Sequence, residues 1–516
     1  MPDETHDTTP HVHHGCCDCT GCASDGPDGL SRREFLAAAG IVLGSAALEG
    51  LGWAEVASAA AAQPAAAPRR KALVVKPILS YSTPRRREAA SWREWGGIQT
   101  QEHADAEVAR IRGELDKLRA AADFPVTFLP VMPARGDGDL KKADDLDKAD
   151  AIILYAAGGR AVKAVAGMGK PVIYFVRHRS GPVYLWYEII NPFHVQLRPG
   201  ELAGDMVVDS ADELLWRLRA LCGLNNALGT RIIAIGGPGT WGGDRGALAM
   251  ARSAWKLDIR TVDYRELAAL LKAANEDAAA IAAATAAAEA YLKDPAVKLE
   301  TKRPFVDKAF LLDAVFRGLM AKADCRAITV NACMGTIMGV SETTACLTLS
   351  TLNDAGYMAF CESDFVVIPA GILLCCITGR PHFLNDPTFP HAGVITLAHC
   401  TAPRRMNGKA AEPARILTHF ESDYGAAPKV EMARGTKVTC VIPDFAGKRY
   451  LGFVGEIADA PFLDICRSQI DVAYKFPDDK LAFDMPGFHW EVVYGDCTRE
   501  MGYALRKLGI AWEVLA

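Results

Sequence analysis

From Lys71 onward the chain repeats one pattern: a run of four or five apolar residues, then a stretch long enough for a helix. Ala72-Leu73-Val74-Val75 is the first run. Residues 103–122 follow as an amphipathic helix with Val108, Ile111, Leu115 and Leu118 on one face. Further runs are Val126-Thr127-Phe128-Leu129, Ala151-Ile152-Ile153-Leu154-Tyr155 and Val172-Ile173-Tyr174-Phe175-Val176. Strands that are apolar throughout are covered on both faces, so this alternation specifies parallel sheet sandwiched by helices. A helix over 212–222 closes this unit. A second unit opens at Thr230, with strands over 231–235, 258–262 and 327–330 and helices over 247–255, 270–291 and 308–323. Beyond Thr401 the pattern shortens to alternating segments such as Lys437-Val438-Thr439-Cys440-Val441-Ile442, the mark of antiparallel strands. A helix over 498–508 and a strand over 511–514 end the chain. The expected fold class is α/β: two Rossmann-like parallel-sheet domains followed by a β-rich, barrel-like C-terminal domain. The expected boundaries are 71–228, 229–400 and 401–516.

The first seventy residues read differently. Ser31-Arg32-Arg33-Glu34-Phe35-Leu36 precedes an apolar, Ala-rich run over 37–51 and the small-residue site Ala57-Ser58-Ala59. Paired arginines, a short apolar segment and an A-x-A-like site specify a twin-arginine export signal over 1–59. An Ala/Pro-rich linker covers 60–70. The apolar run is shorter than the ~20 residues of a membrane span. Uncleaved, it would serve as an anchor. The implied partner is the twin-arginine translocase, and the implied location is periplasmic or exported. That route carries proteins already folded, which suits a cofactor loaded inside the cell. Manganese in particular would lose to copper or zinc outside the cytoplasm.

The 516 residues are 50% hydrophobic and carry a net charge of −5, so no basic field exists to hold nucleic acid. A small molecule is the expected ligand. Of the 15 cysteines, Cys16, Cys17, Cys19 and Cys22 precede the arginine pair. With His11, His13 and His14 they form a cluster able to bind zinc or copper, which would leave with the signal. The rest lack regular spacing, which argues against a disulfide framework.

Polar residues gather at the ends of apolar runs in four places: Phe360-Cys361-Glu362-Ser363-Asp364, Phe383-Leu384-Asn385-Asp386-Pro387, Ala398-His399-Cys400 and Gly487-Phe488-His489. Ligands of open α/β sheets collect at strand carboxyl ends. Glu362, Asp386 and His399, with His489 as a fourth, would make a mixed oxygen/nitrogen site. Such a site suits a divalent metal, manganese before magnesium or cobalt. Two carboxylates across a metal are also what proton transfer through an ene-diol needs, with Glu362 and Asp386 as the acid/base pair.

These segments resemble the L-fucose and L-arabinose isomerases. Gly356-Tyr357-Met358-Ala359-Phe360-Cys361-Glu362 is similar to their first metal-binding glutamate segment, and Phe383-Leu384-Asn385-Asp386 to the second carboxylate segment. Ala398-His399-Cys400 and Gly487-Phe488-His489 are similar to their histidine segments. The resemblance is strongest over 331–403 and only architectural before that. It implies a metal-dependent aldose–ketose isomerase acting on a sugar, with Glu362 and Asp386 as both ligands and proton-transfer groups. It further implies His399 and His489 as ligands, and a homo-oligomer, trimer or hexamer. The chain departs from the family in its export signal and in having one histidine, His489, where the arabinose enzymes have two.

Two other expectations compete. Gly237-Pro238-Gly239-Thr240-Trp241-Gly242 fits G-x-G-x-x-G after a strand, and Asp258 and Asp263 lie near where a ribose-binding acid falls. On that reading the chain is an NAD(P)-dependent periplasmic sugar oxidoreductase. Pro238, which has no N–H, and the mid-chain position count against it. The other is a non-catalytic sugar-binding protein with a cleft between two α/β domains.

Overall fold

In the computed structural model, residues 52–62, 70–184 and 205–516 are described. The arginine pair, the 37–51 run, the N-terminal Cys/His cluster and most of the 60–70 linker lie outside them.

The first sheet holds β1 (Leu73–Ser80), β2 (Val126–Phe128), β3 (Met132–Ala134), β4 (Ala151–Ala156), β5 (Val172–Val176) and β6 (Met206–Val208). It is parallel, in the order β2-β1-β4-β5-β6, with β3 continuing the edge beside β1. The amphipathic Gln101–Ala121 helix buries Val108, Ile111, Leu115 and Leu118, the stripe its spacing specifies.

Next come β7 (Arg231–Ile235), β8 (Asp258–Val262), β9 (Val297–Leu299), β10 (Ala327–Val330) and β11 (Met358–Cys361). All but β9 form a second parallel sheet, in the order β11-β10-β7-β8. The single helix expected over 270–291 is two, Tyr264–Glu276 and Ala278–Leu292. Asp277 breaks them by capping the second, accepting from the amides of Ala279 and Ala280.

The C-terminal region contains β12 (Phe383–Pro387), β13 (Val394–His399), β14 (Ala414–His419), β15 (Tyr424–Val430), β16 (Lys437–Pro443), β17 (Arg449–Asp459), β18 (Ser468–Ala473), β19 (Trp490–Tyr494) and β20 (Ala511–Val514). Six of them close an antiparallel barrel in the circuit β16-β19-β12-β13-β18-β17 and back to β16. Alternate residues fill it: Val438, Cys440 and Ile442 of β16 face one core with Phe453, Ile470 and Trp490, while Val441 packs on the second α/β sheet's helices. β14 pairs with β15 and, in parallel, with β9. The sequence reading ended the second α/β domain at residue 400. The structure instead places β12 and β13 in the barrel. Asp386 and His399 therefore stand on antiparallel strands and not at the ends of parallel ones.

The helix Trp53–Ala62 spans the expected processing point Ala57-Ser58-Ala59 and the start of the expected linker. Val56 is fully buried, and a Cβ on Gly318 would lie 2.3 Å from the Val56 carbonyl oxygen, so glycine is required for the approach. The Trp53 indole donates to Asp277 at 2.9 Å. Peptidases read extended chain, so cleavage here needs this helix to leave its seat. Val56→Asp would bury an unpaired carboxylate against backbone. It should make residues 57–59 about tenfold or more faster to cut in limited proteolysis. An unchanged rate would mean the helix is not seated in solution. Among the described residues no helix is long and apolar enough to cross a membrane.

Candidate metal centre

The four predicted residues come together where the carboxyl end of β11 meets the barrel. Glu362 follows β11 directly. Asp386 lies on β12 and His399 ends β13. The β12–β19 register pairs Leu384 with Glu491 and Asn385 with Trp490. One further step along it sets Asp386 opposite His489, on the barrel face turned toward β11.

His489 is the hub. Its Nε2 lies 3.3 Å from Glu362 Oε2 and 3.3 Å from Asp386 Oδ1. His399 Nε2 lies 3.5 Å from Glu362 Oε1. Glu362, His399 and His489 present ligand atoms all within 4.8 Å of one another. Three of the facing atoms, Asp386 Oδ1, His399 Nε2 and His489 Nε2, are buried and have no hydrogen-bond partner. Buried polar atoms are nearly always paired, so three orphans aimed at one point fit a cation held among them. Two carboxylates with two imidazoles suit a divalent ion of the manganese kind.

The supports are specific. His489 Nδ1 lies 2.8 Å from Asp364 Oδ2, and His399 Nδ1 lies 3.1 Å from Thr401 Oγ1. A carboxylate behind a ligating imidazole fixes its tautomer and turns the other nitrogen to the metal. Glu362 and Ser363 both adopt left-handed backbone, at φ 64° and 49°. Such a conformation costs non-glycine residues roughly 1–2 kcal/mol each. The surrounding structure enforces it: the Ser363 amide donates to Thr329 Oγ1, and residues 363–365 pair with Gly239 through two 3.0 Å backbone bonds.

The Gly237–Gly242 loop therefore has a different use from the one its spacing suggested. The amides of Gly237, Gly239 and Trp241 donate to Ala234, Ser363 and Asp364, so none of the three is free for a pyrophosphate. Asp258 pairs with Arg231 and Arg260, and Asp263 caps the Tyr264–Glu276 helix. The Trp241 ring stacks on Phe488, with centroids 5.1 Å apart and planes at 7°, and meets His489 edge-on at 5.7 Å.

Sequence reasoning passed over Asp364, Trp241, Thr401 and a buried pair beside them. In that pair His382 Nδ1 lies 2.6 Å from Glu491 Oε2, with both side chains enclosed. Gly371 makes the room, since a Cβ there would lie 2.6 Å from Glu491 Oε1. An acid two residues after Glu362 was the one available signal, and its partner lies 125 residues away.

Charge is distributed unevenly. Burial pushes Glu362 toward its neutral form, but His399 and His489 outweigh it and hold the carboxyl well below the usual range. Asp386 goes the other way: burial raises it by more than the imidazoles lower it. Burial would lower both imidazoles, yet His399 is raised by Glu362 and Asp386, and His489 by Asp364, Glu362 and Asp386. A cation must therefore displace protons held above the ordinary histidine value of about 6.5. Its apparent affinity should climb with pH above that value, by about tenfold per unit for each proton released, and level off past the raised values. Calorimetric titration across pH in buffers of different ionisation enthalpy checks this. An affinity flat over that range, with no proton release, would refute it.

No protein-family model matches the chain, and no curated protein matches it.

Proposed function

We propose that the chain is an exported, divalent-metal-dependent aldose–ketose isomerase acting on a small sugar. The observation that carries this reading is the convergence of two carboxylates and two imidazoles, three of whose facing atoms are buried without a hydrogen-bond partner. Glu362, Asp386, His399 and His489 would hold the cation, with manganese favoured by the donor set. When bound, the ion polarises a sugar carbonyl and acidifies the neighbouring C–H.

The chain's own groups do the rest. Glu362 and Asp386 would move hydrogen between adjacent carbons through an ene-diol, one carboxylate taking the proton and the other returning it. His489 and His399 flank Glu362, one beside each of its carboxylate oxygens. Trp241 and Phe488 add an aromatic surface beside a few convergent polar groups, the usual make-up of a small-molecule pocket.

The test is interconversion of a panel of pentoses and 6-deoxyhexoses by metal-loaded protein in deuterated water. Solvent deuterium should appear on the carbon next to the carbonyl. If nothing on the panel is converted, the isomerase reading fails and the metal centre stands alone. The export half is tested separately. Replacing Arg32 and Arg33 with lysine should trap precursor in the cytoplasm, and normal export of that variant would remove the twin-arginine reading.

A further inference from the structure

A second set of ligating atoms stands against the first. Cys333 Sγ, Cys361 Sγ and a Glu362 carboxylate oxygen all lie within 4.8 Å of one another. The two thiols come from the carboxyl ends of neighbouring parallel strands: Cys361 ends β11 opposite Val330 of β10, and Cys333 lies three residues past Val330. Left-handed backbone at Ala332, φ 50°, and at Glu362, φ 64°, folds the two connections toward each other. Both thiols are free; Cys361 is buried and Cys333 is partly exposed. The loop beside Cys333 is open, since a Cβ on Gly335 would meet nothing within 4 Å and Met334 is exposed. An ion has a route in from solvent.

We propose that Cys333, Cys361 and Glu362 form a second cation site, selective for a soft or borderline divalent ion such as zinc, that shares Glu362 with the oxygen/nitrogen centre. The donor types decide the selectivity. Two thiolates and one carboxylate favour zinc-like ions, whereas two carboxylates and two imidazoles leave harder ions competitive. A carboxylate has about four lone-pair positions, enough to serve an ion on each side. Binding takes one ion, releases the two thiol protons to solvent and leaves a fourth position for water. The ion would tie the Asn331–Gly335 connection to the Glu362 turn, where Ala332, Glu362 and Ser363 all adopt left-handed backbone. This goes beyond the isomerase reading, since it needs no sugar chemistry.

Cobalt(II) reports the two environments separately. Reduced, metal-free protein is titrated anaerobically with cobalt(II). Thiolate ligation gives an intense sulfur-to-cobalt charge-transfer band in the near ultraviolet, which oxygen and imidazole ligands do not. The band is expected in the wild type, weakened in Cys333→Ser and reduced in Cys333→Ser/Cys361→Ser to whatever the N-terminal Cys/His cluster contributes, while that double variant still binds at the oxygen/nitrogen centre. Cys333 is partly exposed, so Cys333→Ser alone remains informative if the buried Cys361→Ser change harms folding. His489→Ala should do the reverse, keeping the band and losing the band-free equivalent, so failure of either site is distinguishable from failure of the other. A wild-type titration without the band overturns the proposal. So does a band that the double substitution leaves undiminished, which would place the cobalt on other thiols alone. A Cys333–Cys361 disulfide in the protein as isolated overturns it as well.

Discussion

Glu362→Gln should abolish turnover in otherwise folded protein. The change is nearly isosteric, but it removes the negative charge that faces both imidazoles, whose Nε2 atoms stand 3.3 Å (His489) and 3.5 Å (His399) from the two carboxylate oxygens. On the proposed mechanism the residue would lose a proton-transfer role, worth roughly 10²–10⁴-fold, and one charge of the proposed metal site with it. The combined fall should exceed either effect alone. Asp386→Asn should likewise lower kcat by at least the proton-transfer factor, and metal occupancy with it, because Asp386 Oδ1 also faces the metal centre beside His489. Turnover, metal content and circular dichroism measured on the same samples separate the cases. If Glu362→Gln keeps turnover within about tenfold of wild type, Glu362 is not the proton-transfer group.

The parallel sheets were legible because each strand is a continuous apolar run whose boundaries are set locally. The runs 231–235, 258–262 and 327–330 are the observed β7, β8 and β10. The barrel was legible only as a tendency. Closure joins β16 to both β17 and β19, and nothing in residues 437–443 by themselves says that a strand fifty residues later will complete the circuit. For the same reason residues 383–399, short apolar runs next to parallel-sheet sequence, read as part of the second α/β domain, whereas β12 and β13 belong to the barrel. The break at Asp277 was missed because alanine-rich sequence on both sides favours helix and hides a capping aspartate. Of the site, the four residues facing its centre could be named because each ends or flanks an apolar run. Their supports could not be named. Asp364 acts only through an imidazole brought to it by the barrel, and Trp241 only through a loop whose glycines suggested a nucleotide. Cys333 and Cys361 looked like two scattered cysteines until the register of β10 and β11 set their connections side by side.

His489→Ala should weaken metal binding most among the imidazole changes, and excess metal should not restore activity. His489 is fully buried and, among the described residues, is the one side chain that faces Glu362, Asp386 and Asp364 together. Its loss removes a ligand and leaves Asp364, 1% exposed, with a carboxylate oxygen whose partner has gone. Uncompensated buried charge of this kind typically costs about 3–5 kcal/mol, so the metal-free variant should also be less stable. His399→Ala is the contrast. His399 is backed only by the Thr401 hydroxyl, so its loss should lower occupancy while saturating metal recovers part of the activity. Asp364→Asn tests the support without touching a ligand: the imidazole stays but its charged acceptor is gone, and affinity should fall about 10–100-fold. Thermal unfolding with and without manganese reads all three. Metal at a hundredfold over its dissociation constant stabilises the wild type by about 2.7 kcal/mol, and that increment should vanish in His489→Ala but not in His399→Ala at high metal. If His489→Ala binds manganese as the wild type does, the cation is not held at this hub. The orphaned Nε2 would then face the centre without ligating, and the site would reduce to Glu362, Asp386 and His399.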